Sequence, residues 1–424
     1  MRRLPRWFQP VDQLSPHHRR ILVLMALASM SSAFVNTLFT QTVAYAADEF
    51  DIGTSGQGVG AAIVRWGIII SIPLVALADR HGRRPLIVSL AWAAPLVSAL
   101  GAVSPSFGFL VATQTVGRPL GLTLDILIAV VAIEEMPRNG RAYASGVLAV
   151  LSGLGAGVAV ASLPLADLGE STWRWVYVVT LVWTLAAVVI TRTLPESVRF
   201  VPRDRVPHER RAADRALLRR NIVRICAVVF LTNVFIATAS IFQNRYLKEV
   251  RDYPATLVAL FTVVTSAPAS IGLVVGGRIA DDKGRRVLGA TMVPVGALLL
   301  ALSFSTSGAL MWLVAIAGGI AFGVSYPALA VYRGELFPTS VRGLAGGIIM
   351  TSALVGGSIG LVGGGFVLDG DVAYGTVMLW LVLGPALASL IVWFAYPETA
   401  HRSLEEIVDD PPVNAPSTAP PPTR

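Results

Sequence analysis

Arg118 and Asp125 stand seven residues apart in the apolar run GFLVATQTVGRPLGLTLDILIAVVAI. Seven positions are close to two helical turns, so one helix face carries both. Ionisable groups within a hydrocarbon-length run are costly, which makes each a candidate for chemistry. The guanidinium of Arg118 can anchor a carboxylate, and Asp125 can take up and release a proton. Arg65, in AAIVRWGIIISIPL, is the third such group. Two arginines against one aspartate leave the cluster positive, which favours an anionic or carboxylate-bearing organic ligand. The competing reading makes the three a buried ion-pair cluster that fixes helix packing. Removing one partner of such a cluster would cost about 3–5 kcal/mol.

Uncharged polar residues extend the candidate site. SSAFVNTLFTQTVAY offers Asn36 and Gln41, and Asn233 and Tyr326 lie in later apolar runs. Asn36 cannot titrate, so Asp125 is the deep carboxylate available for proton coupling. Enzymatic chemistry finds little support. The five histidines (17, 18, 81, 208 and 401) fall in tails or loops, Cys226 is alone, and no H-E-x-x-H or G-x-S-x-G pattern occurs. No metal or cofactor is expected.

These residues must be positioned by membrane-spanning helices. Of 424 residues 54% are hydrophobic and only 14% charged, too few charges to coat a soluble surface. Apolar runs long enough to cross about 30 Å of hydrocarbon recur throughout. Twelve spans are expected near residues 21–46, 55–77, 85–105, 108–133, 142–164 and 174–194, then 221–244, 255–280, 287–307, 310–333, 343–367 and 373–396. The fold class is an all-α polytopic membrane protein. The net charge of +8 is spread through short loops rather than gathered on one module, which argues against nucleic acid and for a lipid bilayer. Arginine and lysine concentrate before Ile21, after the even-numbered spans and in the C-terminal tail, which places both termini in the cytoplasm. All basic residues but Lys248 and Lys283 are arginine, a bias that fits a GC-rich bacterial genome and so a bacterial cytoplasmic membrane.

The loops repeat. ADRHGRR recurs as ADDKGRR, with Asp79 and Asp281 202 residues apart; Glu134 and Glu335 are 201 apart, and Pro195 and Pro397 are 202 apart. One offset shared by three loops indicates a duplicated six-helix unit. The expected organisation is a tail over 1–20, bundles over 21–194 and 221–396, a basic connector over 195–220 that can become an amphipathic helix after Pro207, and a tail over 397–424 whose proline-rich end is disordered. Gly153 and Gly157 on span five, with Gly356, Gly360 and Gly364 on span eleven, have the small-residue spacing of close helix approach.

The loop after span two, E-x-x-P-x-x-x-R after spans four and ten, and the endings PESVR and PETAHRSLEEI resemble the major facilitator superfamily, in particular its sugar-porter and general metabolite-porter branch. The resemblance covers about 21–407, with departures at Val75, Val198 and Asp282, and the glutamine-rich signatures of sugar porters are missing. It implies two pseudo-symmetric six-helix bundles that rock about a central site, moving a small organic solute by alternating access, acting as a monomer and not as an enzyme. Proton-coupled symport, proton-driven export of a drug or metabolite, and uniport all stay open; a membrane-embedded enzyme or transporter-like sensor is the alternative of another class. Spans one, four, seven and ten of such proteins line the cavity, and Arg118 aligns with an arginine common on span four. Asp79 would meet a helix N-terminus of the opposite half. Around Asp79 and its repeat Asp281, an ion-pair set of Arg83, Glu134, Arg141 and Glu196, repeated as Arg285, Glu335, Arg342 and Glu398, would latch the cytoplasmic side.

Overall fold

The computed structural model describes residues 15–81, 83–135, 141–194, 208–330, 332, 336–337 and 342–399, and the regular secondary structure among them is helical. Among the described residues eleven helices are long and apolar enough to cross a bilayer: Pro16–Glu49, Thr54–Val75, Arg83–Val103, Phe107–Val131, Val147–Leu168, Arg174–Thr193, Asn221–Glu249, Arg285–Ser303, Gly308–Ala330, Ala345–Asp369 and Tyr374–Ala395. These match spans one to seven and nine to twelve. Span eight has a shorter apolar run, Ala255–Ser270, within a helix that continues to Lys283. The protein is all-α and polytopic.

Helix ends follow local chemistry. Span one starts at Pro16, earlier than hydropathy suggests, because the Ser15 hydroxyl accepts the His18 N–H at 3.2 Å. Span seven is the end of one helix, His208–Glu249, so the second part of the connector is helix continuous with that span. The chain duplication is visible in the backbone. Asp51 and Asp252, 201 residues apart, both take the left-handed conformation at φ 53°, in the turns after spans one and seven. Aspartate tolerates that region as a single residue. Span two is interrupted by a 3₁₀ turn at Gly67–Ile70, and span eight carries Pro268 at the matching position.

The chain divides into two compact units whose boundaries run through spans seven, eight, eleven and twelve. The first holds Met1–Arg203, Ala237–Val264 and Gly357–Val377. Part of its core is a cluster of Met25, Ala28, Leu90, Leu124, Ile128 and Ile190 from spans one, three, four and six. Near the end of span one, the Glu49 carboxylate accepts from Arg174 and from the Trp173 indole, both at 2.5 Å, and Trp173 packs edge-on to Tyr177. The second unit holds Asp204–Ile236, Thr265–Gly356 and Met378–Arg424. In its core Tyr332 and Tyr396 pack edge to face at 4.8 Å, and the Tyr332 hydroxyl donates to the Pro397 carbonyl at 3.0 Å.

The expected close approach is met at Gly356 and Gly364 and shifts by one face on span five. On span eleven, Gly356 lies against the Phe230 backbone and Gly364 against Thr238. On span five, Gly153 and Gly157 have nothing within 4 Å of where a Cβ would stand; Gly155, on the intervening face, meets the Met30 backbone instead.

Candidate functional site

Arg65 and Arg118 are brought together by a defect in span four. Pro119 lacks an N–H, so the Thr115 carbonyl one turn earlier loses its helical partner. Gly67 of span two lies directly over that carbonyl, so closely that a Cβ would overlap it. The Ser71 hydroxyl of span two donates to the Pro119 carbonyl at 3.1 Å. Spans two and four are thus clasped at Gly67 and Ser71, with Arg65 two residues before the clasp and Arg118 beside the proline.

Among the described residues neither arginine has a hydrogen-bond or ion-pair partner. The Nε of each is buried without a hydrogen-bond acceptor, and among the described residues no carboxylate lies within ion-pair distance of either. The two cations act on each other electrostatically. The Arg65 guanidinium fits where span eleven has no side chain: a Cβ on Gly357 would stand 3.1 Å from both its Cζ and its Nη2. Asn36 completes the group. Its Nδ2 donates to the Ser32 hydroxyl at 3.3 Å, and that hydroxyl donates to the Gly121 carbonyl at 2.7 Å, one turn from Arg118. The Asn36 Oδ1 is buried without a donor. Chemically this is a positive recess with one spare acceptor, able to take an anionic group together with a hydroxyl or N–H.

Asp125 sits elsewhere. It is exposed in a cavity of about 380 Å³ between spans one, four and five, lined by Ser29, Asp125, Ile128, Ala129, Leu148, Ala149 and Ser152. The Ser29 hydroxyl, beside Asp125 in the lining, donates to the Leu148 carbonyl at 3.4 Å. The buried ion-pair cluster entertained from sequence is therefore absent among these three residues.

The remaining expected site residues divide. Gln41 is buried, and the Asn244 Nδ2 donates to both its backbone carbonyl (2.9 Å) and its Oε1 (3.1 Å), joining the ends of spans one and seven. Asn233 donates to the Val229 carbonyl of its own helix at 2.9 Å, and Tyr326 is 60% exposed; both belong to the second unit. Of the latch residues, Glu196 and Glu335 lie outside the described residues, as do the side chains of Asp79, Glu134, Arg141, Asp281 and Arg342. Arg83 is half-buried. The Glu398 carboxylate accepts the N–H groups of Arg285 (2.9 Å) and Arg286 (3.1 Å), capping span nine, and Arg285 Nη1 donates to the Thr399 hydroxyl at 3.2 Å. Ser29 and Ser152 beside Asp125, and Gly357 beside Arg65, carry no signal in the sequence, since small residues are abundant in every span.

The sequence profile of the Major Facilitator Superfamily matches residues 25–298 and 254–419. Among solved structures, the chain is similar to a D-xylose–proton symporter (18% identity, 90% of this chain and 98% of that one, TM-score 0.74). It is also similar to the inward-open xylose transporter XylE from E. coli (17%, 92% and 99%, TM-score 0.72). A bacterial homologue of the human lysosomal transporter Spinster, inward-facing and unoccupied, is similar at 16% identity over 90% and 98%, with TM-score 0.72. A Caenorhabditis elegans protein with a provisional transporter name, B0361.11, is 31% identical over 154 residues; the match spans 26% of its length and 35% of this chain.

Proposed function

Because the chain belongs to the Major Facilitator Superfamily, a family of secondary transporters that work by alternating access, we propose that it carries a small organic anion across the bacterial cytoplasmic membrane, coupled to protons, with both termini in the cytoplasm. The observation that carries this reading is the pair of half-buried arginines, Arg65 and Arg118, neither of which has a carboxylate partner among the described residues. An unpaired buried cation is expensive, and an arriving anion offsets that expense. Arg118 and Arg65 anchor the anionic group, and Asn36 accepts from a donor on the same solute. Gln41, Asn233 and Tyr326 contribute from spans one, seven and ten.

Asp125 carries the coupling proton. Seven residues of helix separate it from Arg118, about 10 Å along the axis, so its charge state changes without a salt bridge being broken. Uptake into proteoliposomes is the test, with a panel of organic acids, cations and neutral sugars, with and without an imposed pH gradient. Organic acids should compete, and competition by cations alone overturns the substrate class. Asp125→Asn should leave anion exchange in place while abolishing accumulation driven by the gradient; gradient-driven accumulation in that variant removes Asp125 from the coupling.

The two six-helix blocks, 21–194 and 221–396, pivot about this site. The arginine and acid residues of the cytoplasmic loops, Asp79 and its repeat Asp281 with Arg83, Glu134, Arg141, Glu196, Arg285, Glu335, Arg342 and Glu398, hold that side closed in the outward-open state. A carboxylate at a helix N-terminus is worth about 0.3–1 kcal/mol. Asp79→Asn is accordingly expected to move cysteine-accessibility labelling toward the inward-open state by a few-fold, and unchanged labelling would remove Asp79 from the latch.

A further inference from the structure

Two carboxylates at the face where span one ends have no part in the reading above. Asp167, after span five, accepts the N–H of Ala255 at 2.5 Å, the N–H of Thr256 at 2.8 Å and the Thr256 hydroxyl at 2.7 Å. Asp369, closing span eleven, accepts the N–H of Thr54 at 2.8 Å, the N–H of Ser55 at 3.0 Å and the Thr54 hydroxyl. Each side chain therefore covers the open N-terminus of a helix that belongs to the other sequence repeat. Asp167 belongs to the first repeat and covers span eight of the second. Asp369 belongs to the second and covers span two of the first. The carboxylates are 202 residues apart and their targets 201, the same offset as the cytoplasmic loops.

Local sequence leaves both helix starts uncapped. The residue before Thr54 is Gly53, which provides no side-chain bond, and the residue before Ala255 is Pro254, which has no polar side chain. The first N–H groups of a helix require an acceptor, from a side chain or from water. Here the acceptor arrives from the opposite repeat, with a negative charge at the positive end of a helix dipole. Gly53 also makes room for it, since a Cβ there would stand 3.2 Å from the Asp369 Oδ1.

We propose that Asp167 and Asp369 are a matched pair of clamps that hold this face of the transporter shut and are released together when it opens. On opening, both helix starts exchange carboxylate for water, a moderate penalty paid twice by symmetry. Like the Asp79 contact proposed for the cytoplasmic loops, the clamp sets a carboxylate on the N–H groups of a helix start, but it lies on the face where span one ends. It rests on the alternating-access reading but not on the identity of the solute.

The test is a distance measurement between spin labels at Ser106 and Ser307, in the loops before spans four and ten, in a Cys226→Ser background. Loss of a helix cap is worth about a fivefold change in an equilibrium, and independent sites multiply. Asp167→Ala and Asp369→Ala should each move the closed-to-open ratio about fivefold toward open, and the double variant about 25-fold. Asp371→Asn, a neighbouring exposed acid with no capping bond, should leave the ratio unchanged. The milder Asp167→Asn and Asp369→Asn retain one acceptor oxygen and should give smaller shifts, and melting curves establish that each variant is folded. The proposal is overturned if the folded double variant keeps the parent distribution, or if one substitution alone accounts for the whole shift. A parent protein with a single distance under all conditions overturns the clamp and alternating access together.

Discussion

Replacing Arg118 with leucine is expected to weaken solute binding by roughly a hundredfold while the melting temperature rises. The binding loss follows from removing a charge-assisted, desolvated contact, worth about 3 kcal/mol by comparison with buried charge pairs elsewhere. The stability gain follows from the missing partner. The Arg118 Nε is buried with no acceptor, and among the described residues no carboxylate stands within ion-pair distance. Exchanging an uncompensated buried charge for an apolar side chain relieves desolvation and relieves repulsion from Arg65. An ion-pair role predicts the opposite, a loss of about 3–5 kcal/mol. Thermal melts in detergent, run beside a binding titration with the best organic acid of the uptake panel, separate the two. A destabilised Arg118→Leu protein would return the residue to a packing role. Arg118→Lys should recover part of the affinity, because a point charge replaces a planar fork.

Gly58→Val is expected to hold the protein open at the face where span one ends and to reduce transport by at least tenfold. Gly58 of span two lies over the Leu361 carbonyl of span eleven so closely that a Cβ would overlap it, and the Phe242 ring would be 3.5 Å away. A little farther along the same pair of helices, a Cβ on Gly365 would meet the Thr54 carbonyl at 2.7 Å. Backbone cannot yield as a side-chain tip can, and overpacking of this kind costs typically about 1–3 kcal/mol. That penalty exists only while the two helices touch, so it biases the conformational equilibrium rather than the fold. A cysteine replacing Ala61, which is 1% exposed, should become reactive in the Gly58→Val background. Gly157→Val, with open space around it, should transport normally. Normal transport by Gly58→Val would mean that the approach of spans two and eleven is not needed for turnover.

The contrast between these glycines shows where sequence reading is strong and where it stops. Hydropathy and the 202-residue repeat made the helical architecture legible, because both are properties of whole segments. Arg65 and Arg118 were legible as candidates because charge in an apolar run is conspicuous at any position. Their pairing was not. The spacing of Arg118 and Asp125 already implies about 10 Å of rise, beyond the reach of an ion pair, but it does not say which residues of other spans lie beside each. Asp125 instead lies beside Ser29 of span one, a neighbour that only three-dimensional packing selects. Span five, GLGAGVAV, offers glycines on more than one face, and the location of Met30 decides that Gly155 is the packed one. Asp167 and Asp369 looked like any acids in loops, because their partners are 88 and 315 residues away for the first bonds they make.

The helix His208–Glu249 contains neither glycine nor proline along its 42 residues. At 1.5 Å per residue it measures about 63 Å, roughly twice the hydrocarbon thickness of a bilayer. Such a shaft has no hinge at which a push could be absorbed. Its first part reads HERRAADRALLRR, a sequence attracted to an anionic lipid surface, and its last part carries Asn244, which grips Gln41. A tilt imposed on its arginine-rich start would therefore be carried, like the swing of a tiller, along the whole shaft to Asn244.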